Sequence, residues 1–328
     1  MAPLLRIRDL SVAFRERDGD LVAVRHLSLE VAAGEVVGLV GESGSGKSLT
    51  ALAVLGLVPP PGRITGGSIA LAGRELRGLA ESEYRAVRGA RIGLVFQEPG
   101  AALNPVLTIG TQIVEAIRAH RDVSRREARR RAVELLARLA MPDAEARLAS
   151  YPHELSGGQK QRALMAIALA AEPELLLADE PTTALDVTVQ AQVLDLLEEL
   201  RCERGLGILL ITHDLGIVAR SCDRVAVLYA GEVVEQGTTE SVLAAPAHPY
   251  TRGLLASVPR LGEDAGDGPL ATIPGTVPSL RERPSGCPFH PRCDVRRSDC
   301  STSEPPWVEL GAGRGARCVL LATEAKAG

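Results

Sequence analysis

Residues 41–48, GESGSGKS, confine this chain to a strand–loop–helix unit, because glycines and a lysine at this spacing have a use where backbone N–H groups converge on an anion. Before the loop, Val36 to Val40 (VVGLV) is an apolar, β-branched run of strand length. After it, residues 49–55 (LTALAVL) are rich in helix formers. Gly41, Gly44 and Gly46 let the backbone turn its N–H groups inward, and the helix N-terminus adds roughly half a positive charge. Lys47 is then placed to reach β- and γ-phosphates, and the Ser48 hydroxyl to ligate Mg²⁺. Gly41, Glu42, Ser43, Gly44, Ser45, Gly46, Lys47 and Ser48 are together the candidate nucleoside triphosphate site.

A chain of 328 residues admits one large α/β domain and an appendage. Aromatics make up only 2%, so the core must be built from Leu, Val, Ile and Ala. The net charge of −4 argues against a primary role in binding nucleic acid, whose partners carry a basic excess. Residues 1–10 contain Arg6, Arg8 and Asp9 with no apolar leader core, and no stretch approaches the ~18 apolar residues of a membrane span. The expectation is a cytosolic chain that does not cross a membrane. Four of the six cysteines, Cys287, Cys293, Cys300 and Cys318, crowd the last fifth of the chain, which in a reducing compartment favours a metal site over disulfides.

Residues 4–14 and 22–31 alternate well enough to be antiparallel strands around a polar turn at 15–20. Phe14, shortly before the loop, reads equally as an adenine-stacking platform or as a strand-end core residue. Short strands are expected at 68–73 and 91–96; the second ends at Gln97, on the sheet edge where α/β proteins bind ligands, so Gln97 is a candidate for Mg²⁺ or the attacking water. A polar turn residue is the plainer alternative. Residues 109–153 turn helical, with Arg125, Arg126 and Arg129 to Arg131 reading as a solvated face interleaved with Glu127 and Glu134.

Ser156 and Gln159 have capping-box spacing, but Gly157 and Gly158 between them weaken a helix by about 1 kcal/mol each and suggest close approach of a ligand to bare backbone. Residues 175–180 (LLLADE) form a buried strand ending in two acids. Asp179 suits Mg²⁺, and Glu180 suits polarising a water against the γ-phosphate. Asp186 is an N-cap for a helix over 187–204, the strand over 207–212 delivers His213 to the same edge, and a hairpin turns at Ala230 and Gly231.

In order and spacing, GESGSGKS, Gln97, LSGGQ, LLLADE, TALD and His213 resemble the nucleotide-binding subunit of ATP-binding-cassette transporters over residues 4–245, with LSGGQ the discriminating motif. The resemblance implies an α/β fold: a phosphate-loop NTPase core with an antiparallel β subdomain, an α-helical subdomain at about 100–160 and a small cysteine-containing C-terminal extension at 246–328. It implies a head-to-tail dimer with ATP between the phosphate loop of one subunit and Ser156, Gly157, Gly158 and Gln159 of the other. It further implies Glu180 as general base, His213 as switch histidine, Mg²⁺ held by Ser48, Gln97 and Asp179, Asp186 in dimer coupling, and the Gln97 loop facing a permease. Thr183 stands where the family commonly has serine.

Residues 96–110 (FQEPGAALNPVLTIG), 248–259 (HPYTRGLLASVP) and 273–293, which include GCPFHPRC, resemble more narrowly the oligopeptide/dipeptide/nickel importers, closer to the D-type ATPase. That implies a second, paralogous ATPase, two permease subunits, a solute-binding protein outside the membrane, and a peripheral place on its cytoplasmic face. The four cysteines supply thiolates enough for a 4Fe–4S iron–sulfur cluster or a structural zinc, with His290 able to replace one thiolate, and their spacing does not decide between them. The resemblance implies the iron–sulfur cluster. A Gly/Asp-rich stretch at 262–268 reads as a linker into this tail. The rival function is a soluble cassette ATPase acting on nucleic acid or ribosomes, against which stand the single cassette and the negative charge.

Overall fold

The computed structural model describes residues 3–183, 185–258 and 272–324; Ala184 and the expected linker at 262–268 lie outside the described residues. The strands in chain order are β1 (Leu5–Glu16), β2 (Gly19–Val31), β3 (Val36–Val40), β4 (Gly62–Leu71), β5 (Arg74–Glu75) and β6 (Ile92–Val95). They continue with β7 (Leu175–Asp179), β8 (Gly207–Thr212), β9 (Arg224–Tyr229), β10 (Glu232–Thr238), β11 (Trp307–Gly311) and β12 (Arg314–Arg317). Two compact units, interleaved in sequence, divide them. One holds Met1–Leu5, Glu30–Val36 and Ala70–Ile211; the other holds Arg6–Leu29, Val37–Ile69 and Thr212–Gly328.

In the first unit β6, β7 and β8 are parallel, with Leu177 opposite both Leu94 and Leu209. Residues 175–178 and 208–211 are at most 1% exposed, which is why they read as unbroken apolar runs: a parallel strand covered on both faces has no polar side to show. Helices Ile109–His120, Arg125–Arg138, Gly157–Leu169 and Val187–Arg204 begin on Thr108, Ser124, Ser156 and Asp186, each of whose side chains accepts a backbone N–H of the first turn. Such caps contribute about 1 kcal/mol apiece. The helical stretch ends in a short turn, Ala144–Arg147, and a 3₁₀ segment, Pro152–Glu154. Two members of its basic run pair within the helix: Arg130 with Glu127 and Glu134, and Arg131 with Glu127, whose carboxyl these two guanidinium hydrogen bonds hold down to about 2.

In the second unit the strand order β11-β12-β10-β9-β3 runs from the extension to the loop. β3 lies parallel to β9, with Leu39 opposite Ala226; β10 returns antiparallel to β9; and β12 joins β10 with Glu235 opposite Ala316. The extension therefore continues the sheet, through two strands that the sequence reading does not contain. In β11 residues Glu309, Leu310 and Gly311 are exposed, and β12 is a four-residue strand with an arginine at each end, so no apolar alternation marks either. Glu235, fully buried, anchors the joint: its carboxylate accepts the N–H groups of Ala247 and His248 and pairs with Arg314 at 3.1 Å.

The β1–β2 hairpin is tighter than expected. Only Arg17 and Asp18 separate the strands, with Gly19 at φ 130° opening the second, and because residues 15–20 are exposed no apolar alternation marks these strand ends. β4 also starts earlier than residue 68, at Gly62, where Gly62, Gly66 and Gly67 hide the strand pattern.

Candidate functional site

The phosphate loop belongs to the second unit, between β3 and the helix Lys47–Val54, whose N-cap Gly46 stands at φ 102°. A Cβ on Gly41 would lie 2.2 Å from the Leu228 carbonyl oxygen, so the loop's first residue has to be glycine. The loop rests on its neighbours through backbone: Gly231 N–H donates to the Ser45 carbonyl at 2.9 Å, and Arg25 N–H donates to the Gly231 carbonyl at 2.8 Å. Lys47 is buried, and its ammonium donates to the carbonyls of Gly41 (2.7 Å) and Glu42 (3.0 Å). Ser43 and Gly44 are exposed, Ser45 is buried, and Ser48 is half-buried in the helix's first turn. A cationic side chain, a glycine-rich turn of backbone and a helix N-terminus on one short segment make an anion cradle. Phe14, half-buried in β1, has its ring edge close against Gly62. His213, exposed, follows β8 immediately, and the next residue, Asp214, caps the helix Leu215–Ser221.

The first unit carries Gln97, Ser156 to Gln159, Asp179, Glu180 and Asp186. Asp179 ends β7, 7% exposed. Glu180 takes φ 48°, donates its N–H to the Ile211 carbonyl at 2.9 Å, and accepts the Thr183 hydroxyl on Oε2 at 3.1 Å. A non-glycine residue in the left-handed region costs roughly 1 kcal/mol or more, and such strain gathers where a side chain must be aimed. Ser156 and Gln159 do form a reciprocal capping box: Gln159 N–H to the Ser156 hydroxyl at 3.3 Å, Ser156 N–H to the Gln159 side-chain oxygen at 3.0 Å. Ser156 and Gly157 are exposed, so the start of this helix offers backbone donors to solvent. Gln97 and Asp186 are exposed too.

Cys287, Cys293, Cys300 and Cys318 line one small cavity with His248, Phe289 and His290. Burial first, and then the neighbouring thiols, push the Cys287 thiol up to about 11; burial likewise raises Cys293 and Cys318. Among the described residues no group of three or more His, Cys, Asp or Glu donors is arranged to hold a metal ion.

Sequence reasoning passes over three residues behind the loop. The Tyr250 hydroxyl accepts the Glu42 N–H at 2.9 Å, Arg292 grips the Glu42 carboxylate, and Tyr229 packs on both. The available signal is the scarcity of aromatics in this chain: Tyr229, Tyr250 and Phe289 cluster here with ring centroids 4.6–5.4 Å apart.

Residues 24–183 match the family described as ABC transporter, and residues 234–300 match the oligopeptide/dipeptide transporter C-terminal region. A protein of Brucella melitensis named a peptide import ATP-binding protein is 50% identical over 97% of both chains. A like-named protein of Brucella abortus is 49% identical over 97% of this chain and 95% of its own. The chain belongs to the ABC transporter ATP-binding family. Among solved structures, a dimeric ATP-binding cassette in a post-hydrolysis state with ADP and Pi superposes with a TM-score of 0.66 at 30% identity, covering 72% of this chain and 98% of that one. CbiO1 of Clostridium perfringens, part of an ABC transporter complex, gives 0.63 at 28% identity, covering 75% and 92%. This ABC subunit is an ATPase, and its family implies ATP and Mg²⁺ as its ligands. Among the described residues no helix is long and apolar enough to cross a membrane.

Proposed function

We propose that this ABC ATPase is the energy-coupling subunit of an importer for di- or oligopeptides, or for a related solute such as nickel, seated peripherally on the cytoplasmic face of the membrane. One observation carries the reading: the oligopeptide/dipeptide transporter region at 234–300 follows the cassette in a chain whose peptide-import relatives align over 97% of its length. Residues 1–245 are the cassette and 246–328 the transporter-type extension. ATP binding closes a head-to-tail dimer with a second, paralogous ATPase; hydrolysis reopens it, and two permease subunits follow, fed by a solute-binding protein.

In the proposed mechanism the backbone of the 41–48 loop and the Lys47 ammonium hold the triphosphate, and Ser48, Gln97 and Asp179 would hold Mg²⁺, which would neutralise phosphate charge when bound. Glu180 accepts a proton from the attacking water, His213 contacts the γ-phosphate, and Phe14 flanks the adenine. Ser156 and Gly157, both exposed, serve the nucleotide of the partner together with the half-buried Gly158 and Gln159, with Asp186 in the coupling between subunits. Exposed Phe96 and Val106 on either side of the Gln97 loop supply apolar contact for a permease.

The four thiols on one cavity also fit a 4Fe–4S cluster by number and donor type, with Cys₃His zinc through His290 as the other donor set. When bound, the cluster would cross-link residues 287–318. Metal analysis of protein purified without oxygen separates the two: four irons with matching sulfide per chain support the cluster, and zinc without sulfide refutes it.

The transport reading is tested by capturing the full chain from native membranes and identifying what accompanies it. Two permeases and a second cassette ATPase are expected. Ribosomes or nucleic-acid proteins with no permease would move the assignment to a soluble cassette ATPase.

A further inference from the structure

We infer that the C-terminal extension completes the nucleotide site, with Arg292 and Tyr250 as positioning residues that fix the phosphate loop through Glu42. The inference rests on the assignment of residues 41–48 to ATP and concerns what holds that loop in shape.

Glu42 is tied down by every polar group it has. Its N–H donates to the Tyr250 hydroxyl at 2.9 Å. Its carbonyl accepts the Lys47 ammonium at 3.0 Å and the Ser45 N–H at 3.3 Å. Its carboxylate takes both arms of the Arg292 guanidinium, Nη1 to Oε1 at 2.9 Å and Nη2 to Oε2 at 3.0 Å. The peptide unit joining Gly41 to Glu42 gives its N–H to Tyr250 and its carbonyl oxygen to Lys47 at 2.7 Å. A side chain of the extension and the phosphate-binding lysine therefore hold opposite ends of one rigid plane.

The anchor itself is immobile. Arg292, in the short 3₁₀ turn His290–Arg292, is 6% exposed at its side chain, and its Nε–H donates to the Pro274 carbonyl at 2.8 Å. Its guanidinium carbon stands 5.8 Å from the Tyr229 ring centre and 6.0 Å from that of Phe289. Tyr250 is fully buried, and its own N–H is held by His248 Nδ1 at 3.0 Å. A planar, two-pronged arginine–carboxylate pair fixes direction as well as distance, which a lysine cannot do.

The pair also settles a charge problem. Glu42 puts a carboxylate inside the loop that must accept a polyanion, and like charges within a few ångströms in a partly desolvated site repel. Arg292 offsets that charge through its two-pronged pair with the carboxylate. Loss of Arg292 should therefore weaken ATP binding twice over, by freeing the 41–42 peptide and by leaving Glu42 uncompensated.

The test uses the full-length chain and ATP itself. Affinity is read by displacement of a fluorescent ATP analogue, melting without nucleotide is recorded alongside, and KM and kcat are separated in the assembled transporter. Arg292→Gln should weaken ATP about tenfold and raise KM with kcat little changed; Tyr250→Phe, which removes one oxygen, should weaken it about threefold. Arg292→Lys should recover part of the loss, since it restores charge without the fork. Glu42→Gln combined with Arg292→Gln should lose less than the sum of the two singles, the mark of a direct pair. Lys47→Ala reports on the underlying assignment: if ATP still binds, residues 41–48 are not its site. If Lys47→Ala abolishes binding while Arg292→Gln and Tyr250→Phe stay within twofold of the parent, the positioning role is wrong, whatever the melting temperatures do. Should Arg292→Gln fail to fold, Tyr250→Phe decides the matter alone.

Discussion

Gly231 and Gly73 form a matched pair for measuring what the phosphate loop demands of its surroundings. Both take a positive φ of nearly the same size, 84° and 81°. A Cβ on Gly73 would meet nothing within 4 Å, whereas one on Gly231 would stand 2.4 Å from the Ala23 carbonyl oxygen and 3.1 Å from its carbon. Gly73→Ala should thus cost only the left-handed penalty, about 1 kcal/mol. Gly231→Ala bears the same penalty and must also push back the backbone of β2, an overpacking of about 1–3 kcal/mol, for a total of about 2–4 kcal/mol. The displaced groups are those the loop rests on. The Ala23 oxygen lies 3.1 Å from where a Cβ on Gly46 would be, and Gly231 N–H holds the Ser45 carbonyl. Denaturant unfolding of the two variants should separate them by at least about 1 kcal/mol, and ATP affinity should fall several-fold in Gly231→Ala alone. Equal destabilisation, or unaltered ATP affinity in Gly231→Ala, would refute the argument that this turn is a floor for the loop.

Two further outcomes are expected. Glu180→Gln should keep ATP binding and lose turnover in the assembled transporter by the roughly 10²–10⁴-fold that a general base contributes; unchanged hydrolysis would remove Glu180 from the chemistry. Burial against Gly38 and Val218 pushes the Cys222 thiol up to about 12, so the folded state keeps a proton that the unfolded chain releases near pH 9. Its contribution to stability is complete below pH 9 and is lost as pH rises towards 12, by about 1.4 kcal/mol per pH unit. Cys222→Ala should flatten that alkaline slope, and native Cys222 should resist alkylation at pH 8 while exposed Cys202 reacts. Equal labelling of the two would overturn the assignment.

The helix Val187–Arg204 is legible in sequence to the residue because both its ends are encoded locally, by the Asp186 side chain at one and by Gly205 at φ 67° at the other. β7 and β8 are legible because burial on both faces leaves only apolar residues. The strands that escape, β11, β12 and the first half of β4, are short or exposed or glycine-rich, and backbone pairing alone defines them. The site divides along the same line. Residues 41–48 announce themselves because the loop, its lysine and its helix lie within one short segment. Arg292 and Tyr250 lie 250 and 208 residues from Glu42, and no spacing rule spans such a distance. Yet their neighbourhood leaves a trace. In a chain whose core is Leu, Val, Ile and Ala, a tyrosine drawn into a buried run, as Tyr229 is at the end of VAVLY, brings a hydroxyl that needs a polar partner. A buried tyrosine in an aromatic-poor core is therefore a request for a charged or backbone group nearby, and here Arg292 answers it with Nη1 at 3.4 Å from the Tyr229 hydroxyl, the same nitrogen that grips Glu42 of the phosphate loop together with Nη2.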